Sequence, residues 1–530
     1  MSPLDRSLTE RSWRAPRSDG GRLIDPPWDQ LESILAANRQ LAEADDFELL
    51  GQRRSVFQAV ARRELGELAR SYTLRYRSVT LPTAAPDTGP LILAGHQPEL
   101  FHPGVWFKNF ALARVAQQVG GWAINLLIDN DVLQTPAIRV LTGTSDSPRV
   151  MRVPFDRQTI AMPYEERPLL DAASFTSFAE RVGQTVSTWI ADPLVHALWA
   201  HARRFESEPK RLGAILAQAR HQLEADWGLE TLEIPLSSVC HGETFRRFVG
   251  ELIVSLPRFA RVYNESLWEY RRVNRIRSRT HPVPELGQAD DWLEAPFWIW
   301  TRQEPERRRL FVRPNATGWQ LSDQRHVWSL DVRTDGAGEA FIAQLGNLEQ
   351  QGVKVRPRAL TTTLFARLCL GDLFVHGIGG AKYDQLTDQI MERFWGVTPP
   401  TYFAISATAW LPVPRPVPPA PQRKAWQETQ RSLTFHAERF LDENRGARDL
   451  IEQKRKWIGN AEPTQQRERH FALQRINHAL QSFVAPLHQQ AQQQTARLSS
   501  EEQRWKVLTS REYSFCLFPE STLRPFLLDI

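Results

Sequence analysis

Apolar positions along the chain alternate between helical spacing and short unbroken runs. Leu31, Ile34 and Leu35, followed by Val56, Val60, Leu65 and Leu68, recur at helical intervals and predict helices over residues 28–77. "PLILAG", residues 90–95, interrupts that rhythm. It is too short for a helix and bounded by proline and glycine, so it reads as a strand buried on both faces. Residues 104–119 return to helical spacing, with Phe107, Phe110, Ala111 and Val115 inward, and "WAINLLIDND" forms a second apolar run that ends in acids. Strand, loop, helix and strand make a βαβ unit, hence an α/β protein with a parallel sheet.

Residues 170–260 carry mainly helical patterns, whereas residues 295–335 alternate aromatic and polar side chains between turn signals and predict a small antiparallel sheet. The parallel core resumes in "LCLGDLFVHGIGGAKYD", where an apolar strand runs into glycines and then a helix, and "TYFAISATAWL" supplies a last strand. "PVPRPVPPAPQ", residues 412–422, is a stiff polyproline-like linker. Two helical stripes, residues 423–458 and 465–508, flank "GNAEPT" and predict an antiparallel hairpin. The organisation predicted is a mobile N-terminus (1–27), N-terminal helices (28–80) and a first part of the core (81–160). A helical connective insertion with a small sheet (161–350), a second part of the core (351–411), the linker (412–422), a coiled-coil hairpin (423–510) and a tail docking on the core (511–530) follow.

Composition changes this picture little. A chain of 530 residues, 42% hydrophobic and 24% charged, is long enough for several packed units. A net charge of +5 over that length does not argue for nucleic acid. The basic excess is local, in Arg258, Arg261, Arg271, Arg272, Arg275, Arg277 and Arg279. That segment is either a solvated helix face or a surface for an anionic ligand. Only Tyr263, Trp268 and Tyr270 accompany the arginines, too few stacking rings for a nucleic-acid platform. The three cysteines, Cys240, Cys369 and Cys516, have no metal-knuckle spacing and read as reduced, buried thiols. Without a secretory leader or a run of ~20 apolar residues, the expected location is the cytoplasm, away from membranes.

The chemistry concentrates where strands end, because ligands of open parallel sheets bind beyond the carboxyl ends of the strands. In "GHQPELFHPG", Pro98 and the Pro103–Gly104 turn hold His96, Gln97 and His102 on an irregular loop beside a helix N-terminus. Such a terminus favours an anion, and Lys108 one turn later adds positive charge. The histidines serve either that ligand or the backbone as caps. Asp129 and Asp131 end the neighbouring strand, and alternation turns only one of them into the crevice. Gly377, Gly379 and Gly380 permit close backbone approach and positive φ, and Lys382 in the following first turn makes sense opposite an anion. No Walker loop, full dinucleotide fingerprint, Gly-x-Ser-x-Gly elbow or His-Glu-x-x-His helix is present, and His96, His102 and Asp131 match no zinc spacing, so no metal is predicted.

The order of these motifs resembles the cysteine ligase family of bacillithiol biosynthesis (BshC-type), as a divergent branch. That family has a strand followed by Thr-Gly-Gln-Gln-x-Gly-Leu and a Gly-Pro before a lysine-bearing helix. Gly95, Gln97, Leu100, Gly104 and Lys108 hold comparable places here. Its Glu-Asp-His-Asp motif is similar to Asp129, Asn130 and Asp131, and its Gly-Gly-Pro-Gly-Glu-x-x-Tyr turn is similar to "HGIGGAKYD" with Tyr383 kept. A late Leu-Phe-Pro motif resembles "CLFPESTL", residues 516–523. His96 in place of the first glutamine, the missing acidic-motif histidine and Lys382 near the family's glutamate are departures at site positions.

The resemblance implies a Rossmann-like core of nucleotidyltransferase type with a dimerising coiled-coil arm. It also implies a ligase that joins cysteine, or a related small amine or amino acid, to an amino-sugar conjugate, with a nucleotide (ATP or ADP) pocket. In that scheme His96, Gln97, His102, Lys108 and Asp131 are catalytic, and Gly377, Gly379, Gly380, Lys382 and Tyr383 hold the nucleotide. Gly95, Asp129, Asn130 and His376 contact substrate. The other reading is a non-catalytic or differently catalytic nucleotide- or sugar-binding protein whose helical arm mediates dimerisation or recruits a partner.

Overall fold

The computed structural model describes residues 13–205, 211–332, 337–418, 422–441, 445–459 and 466–530. Residues 1–12 of the N-terminal stretch, 419–421 of the proline-rich linker and 460–464 of the "GNAEPT" turn lie outside the described residues. The chain divides into two units. Met1–Val140, Met151–Pro412 and Arg511–Ile530 form the first, and Leu141–Val150 with Val413–Ser510 the second.

In chain order the first unit contains β1 (Arg22–Asp25), α1 (Leu31–Ala44), α2 (Arg54–Thr73), β2 (Leu91–His96), α3 (Pro103–Val119) and β3 (Trp122–Leu127). It continues with α4 (Leu212–Asp226), β4 (Leu232–Pro235), α5 (Leu256–Val273), β5 (Leu373–His376), α6 (Ile378–Ile390) and β6 (Phe403–Ala407), with shorter helices and a second sheet between them. The main sheet has the order β1-β6-β5-β2-β3-β4. Five strands are parallel, and only β1, at the edge, runs antiparallel to its neighbour. The fold is therefore α/β with a mixed, mostly parallel sheet.

Leu91, Ile92, Leu93 and Ala94 are all fully buried, as a strand covered on both faces requires. Proline at the start of α3, with His102 as its N-cap, and Gly120 at φ 62° after its end fix that helix within the βαβ unit. Gly104 is needed for close approach, since a Cβ there would lie 2.0 Å from the Ala407 carbonyl oxygen. Next to the start of β5, Asp372 binds β2 from below: its carboxylate accepts from the Leu91 amide at 2.8 Å and from both Arg62 terminal nitrogens at 2.7 Å.

β2 and β5 lie side by side, with Val375 opposite Ala94. The crossover from β2 through α3 leads to β3 on one side, while that from β5 through α6 leads to β6 on the other. Right-handed crossovers that depart in opposite directions put α3 and α6 on opposite faces. The carboxyl ends of β2 and β5 thus border a topological switch point, the place where ligands of open parallel sheets bind. The histidine loop and the glycine turn, far apart in sequence, share this rim.

Several expectations change. Residues 13–27 are not all mobile: β1 pairs with β6, and Trp13 packs against Tyr402. The helical stretch 170–260 hides β4, because a four-residue strand containing Glu233 carries too weak an apolar signal. The antiparallel sheet extends to Val353–Pro357, which pairs with Trp292–Thr301 after an intervening helix. All three cysteines are free and buried.

The second unit holds α7 (Gln422–Phe435), α8 (Arg448–Gly459) and α9 (Gln466–Leu508), the last 43 residues long. Leu433, Ala437, Ile451, Ile476, Leu480, Val484 and Ala491 form its core. The single helix expected over 423–458 is broken after Phe435. Lys454 satisfies the freed Phe435 carbonyl at 2.7 Å and pairs with Glu438 at 2.5 Å, which replaces the lost helical bonds. Among the described residues, no helix is long and apolar enough to cross a membrane.

Candidate functional site

His96 is the last residue of β2 and is buried, with the Phe101 ring 4.1 Å away between centroids. Its Nε2 has no hydrogen-bond partner, an unusual state for a buried polar atom. Lys108, one turn into α3, is also buried and donates from Nζ to the Gly95 carbonyl at 2.5 Å. Burial pushes the lysine down to about 7, helped by the Arg220 guanidinium. Burial likewise holds His96 well below the ordinary histidine range, with Lys108 and Arg220 adding to the effect. These shifts set the charge states of both groups. His96 is a neutral imidazole at physiological pH, and Lys108 is the group that titrates there.

The other side of the switch point is the start of α6. Its N-cap, Gly377, has no side-chain cap, and added Cβ atoms at Gly377 and Gly379 would meet nothing within 4 Å. The outer side of this turn at Gly377 and Gly379 therefore borders open space. None of the three glycines adopts the positive φ considered from the sequence. Gly380 is required for packing, since a Cβ would lie 2.7 Å from His376 Nδ1. Lys382 and Tyr383 are half-buried in the first turn: the Lys382 carbonyl accepts from Tyr270 at 3.0 Å, and Tyr383 meets the edge of His281 at 5.8 Å. The arginine-rich segment is consequently next to the glycine turn. Arg271 folds it there by donating to the carbonyls of Arg279 and Val283 at 2.6 and 2.8 Å, and Arg272, Arg275, Arg277 and Arg279 remain exposed.

Other expected site residues have structural duties. His102 Nδ1 accepts from the Gly104 amide at 3.1 Å as the cap of α3, and burial beside Arg511 lowers it to about 4. His376 is bound to Asp384 at 2.8 Å, and Asp384 pairs with Arg367 at 2.6 Å. That charge pair holds the carboxylate below its usual range. Asp131 is engaged by Arg307 at 2.8 Å and by Gln97 Nε2 at 2.8 Å, so neither side chain is available as a free catalytic group. Asn130 is buried, with Nδ2 donating to the Pro357 carbonyl at 2.8 Å. The alternation argument for Asp129 and Asp131 fails twice: residues two apart on a strand share a face, and β3 stops at Leu127, where the backbone turns at once with the Asp129 amide bonded to the Leu127 carbonyl.

Asp129 lies at the same rim, in a cavity of about 250 Å³ beyond β3 and β4. Its carboxylate accepts from the Ser237 amide at 2.9 Å and from the Ser237 hydroxyl at 2.5 Å. Burial, with Glu165 nearby, raises it to about 7. Pro98 of the histidine loop lines the same cavity. Glu165, Ser237, His241 and Lys354, also in its lining, were missed from the sequence. Ser237 was hidden with the strand before it, because Glu233 interrupts "LEIP". A roomier cavity of about 790 Å³ lies at the opposite rim, along residues 79–84, Trp122 and residues 527–530, and contains none of the motif residues. We assign the chemistry to the carboxyl rim, where orphaned and shifted groups gather.

His221, Glu224 and Glu233 have ligand atoms within 4.8 Å of one another, close enough to suggest a metal. They do not fit one. Arg220 binds Glu224 at 2.6 Å and also Glu233, so a guanidinium already supplies the positive charge. His221 spends its ring nitrogens on Tyr76 at 2.6 Å and on Thr231 at 3.0 Å.

Fold and site together define an open α/β protein whose orphaned and shifted polar groups gather at the carboxyl rim of its mostly parallel sheet. Compared with known proteins, the chain matches no protein-family model and no curated protein.

Proposed function

We propose that the chain is a BshC-like ligase that forms an amide between a small amino acid such as cysteine and an amino-sugar conjugate, with ATP as activator. The observation that carries this reading is the adjacency of β2 and β5, which brings Lys108, His96 and the first turn of α6 to one rim of the sheet. Amide formation from a free carboxylate runs uphill in water, so the carboxyl must first take a phosphoryl group or nucleotide. An anion seated on the start of α6, with the arginine-rich loop beside it, fits that need. In the coupling step the amine lone pair attacks the activated carbonyl carbon, the C–N bond forms, and phosphate or nucleotide departs with the C–O electrons. The amine proton passes to neutral Lys108, whose position near 7 suits a general base. The neutral His96 ring hydrogen-bonds the reacting group. The core is then of nucleotidyltransferase type. The second unit is read as a coiled-coil arm that pairs two copies of the chain, a reading supported by the exposed Phe435, Phe471 and Ile458.

The test is mass spectrometry on protein incubated with ATP, cysteine and an amino-sugar conjugate. A product equal to both reactants less one water, with ATP consumed, is expected. Gly379→Asp should abolish it without lowering the melting temperature, because aspartate favours a helix start yet repels an anion. Sugar or nucleotide binding without product or ATP use would favour the second reading, a non-catalytic or differently catalytic binding protein. The structural commitments of His102, His376 and Asp131 give that alternative its support.

A further inference from the structure

We infer that the cavity beside the switch point is an ammonium subsite, in which Asp129 is the counter-ion for a primary amine of amino-acid size. The inference deepens the ligase reading and rests on it for its purpose, though not for its chemistry.

The argument begins with charge pairing. Around this cavity every other charged or titratable group has a partner. Glu165 is held by Arg356 at 3.1 Å and by Lys354 at 3.3 Å. Arg211 donates to the Glu166 carbonyl at 2.8 Å, and His241 faces Glu349 at 3.0 Å. Tyr164 donates to Glu99 and the Tyr72 hydroxyl accepts from Gln218, each at 3.2 Å. Asp129 differs, since it makes no ion pair with a described residue and is bonded only by the Ser237 N–H and hydroxyl. A half-buried carboxylate beside a second carboxylate, with the Arg356 guanidinium giving only part of the relief, favours its neutral form. A ligand ammonium would reverse that and would be bound most tightly by the ionised acid.

Size selects the ligand further. A volume of about 250 Å³ equals roughly eight waters at ~30 Å³ each and falls below the ~300–1,000 Å³ of drug-sized sites. An amino acid fills that volume, whereas a nucleotide or an amino-sugar conjugate would leave most of itself outside it. Pro98 forms part of the wall, so the cavity reaches the base of the histidine loop.

The probe is ethanolamine, followed by ligand-observed NMR at pH 6, 7 and 8, with ethylene glycol as the uncharged control. Affinity should rise close to tenfold per pH unit below about pH 7, where Asp129 gains its charge, and level off above it. Asp129→Asn should weaken binding at least tenfold and flatten the pH dependence. Ala214→Leu, which narrows the cavity from α4, should weaken it independently of that carboxylate. Both variants should bind pyrophosphate as the parent protein does. Equal binding of the glycol, absent ethanolamine binding, or unchanged affinity in both variants would overturn the subsite. If ethanolamine binding survives Asp129→Asn while Gly379→Asp still loses pyrophosphate, the subsite falls and the ligase reading stands. If Asp129→Asn loses the amine but the parent protein binds no nucleotide, the subsite stands and the ligase reading falls.

Discussion

Replacing Lys108 with methionine is expected to lower kcat/KM by about 10²–10⁴-fold, the usual worth of a positioned proton acceptor. The parent enzyme should gain activity as pH rises through about 7, where the Lys108 ammonium loses its proton, and reach a plateau above it. With substrates saturating, so that amine binding at Asp129 no longer limits the rate, the variant should lack that acid limb. Stability moves the other way. The folded protein holds Lys108 at about 7 against an ordinary 10.5, so below pH 7 the buried ammonium costs free energy in the folded state that methionine does not. Methionine should therefore raise the melting temperature below pH 7, and the gain should fade between about 7 and 10.5. A variant with reduced activity, an unchanged pH profile and a lower melting temperature would mean that Lys108 only packs.

The second large effect is on folding. Asp372→Ala should destabilise the protein by about 3–5 kcal/mol, measured by denaturant unfolding. The substitution strands the Arg62 guanidinium, which is 5% exposed, without its bidentate partner. It also removes the acceptor for the Leu91 amide at the first residue of β2. Both losses fall on the β2–β5 pair, so the damage reaches the carboxyl rim as well as the core. Arg62→Met with Asp372→Leu should recover most of the loss, because removing both charges leaves none unpaired.

Much of this architecture was legible because it is written in local patterns. "PLILAG" and "DLFVHG" are unbroken apolar runs that stop at turn residues, and the helices after them carry regular inner faces. The readings fail where a distant partner decides. β4 escaped notice because Glu233 interrupts it, and Arg220, thirteen residues away in sequence, together with Asn125 of β3, makes that acid tolerable inside. β1 is an edge strand whose pairing depends on β6, nearly four hundred residues later. At the site, the sequence placed histidines, acids and glycines at strand ends but could not say which were already spoken for. Asp131 is tied to Arg307 from the antiparallel sheet, and His376 to Asp384 within its own helix crossover. Asp129 and Lys108 are left as the groups whose charge is open to change, and their burial comes from the whole fold.

The most direct test is a crystal structure of the protein with a non-hydrolysable ATP analogue. The terminal phosphates should sit on the first turn of α6, against the N–H groups that follow Gly377, with Lys108 and His96 at the same rim. Phosphates bound instead in the cavity along residues 79–84 and Trp122, at the other rim of the sheet, would contradict the account.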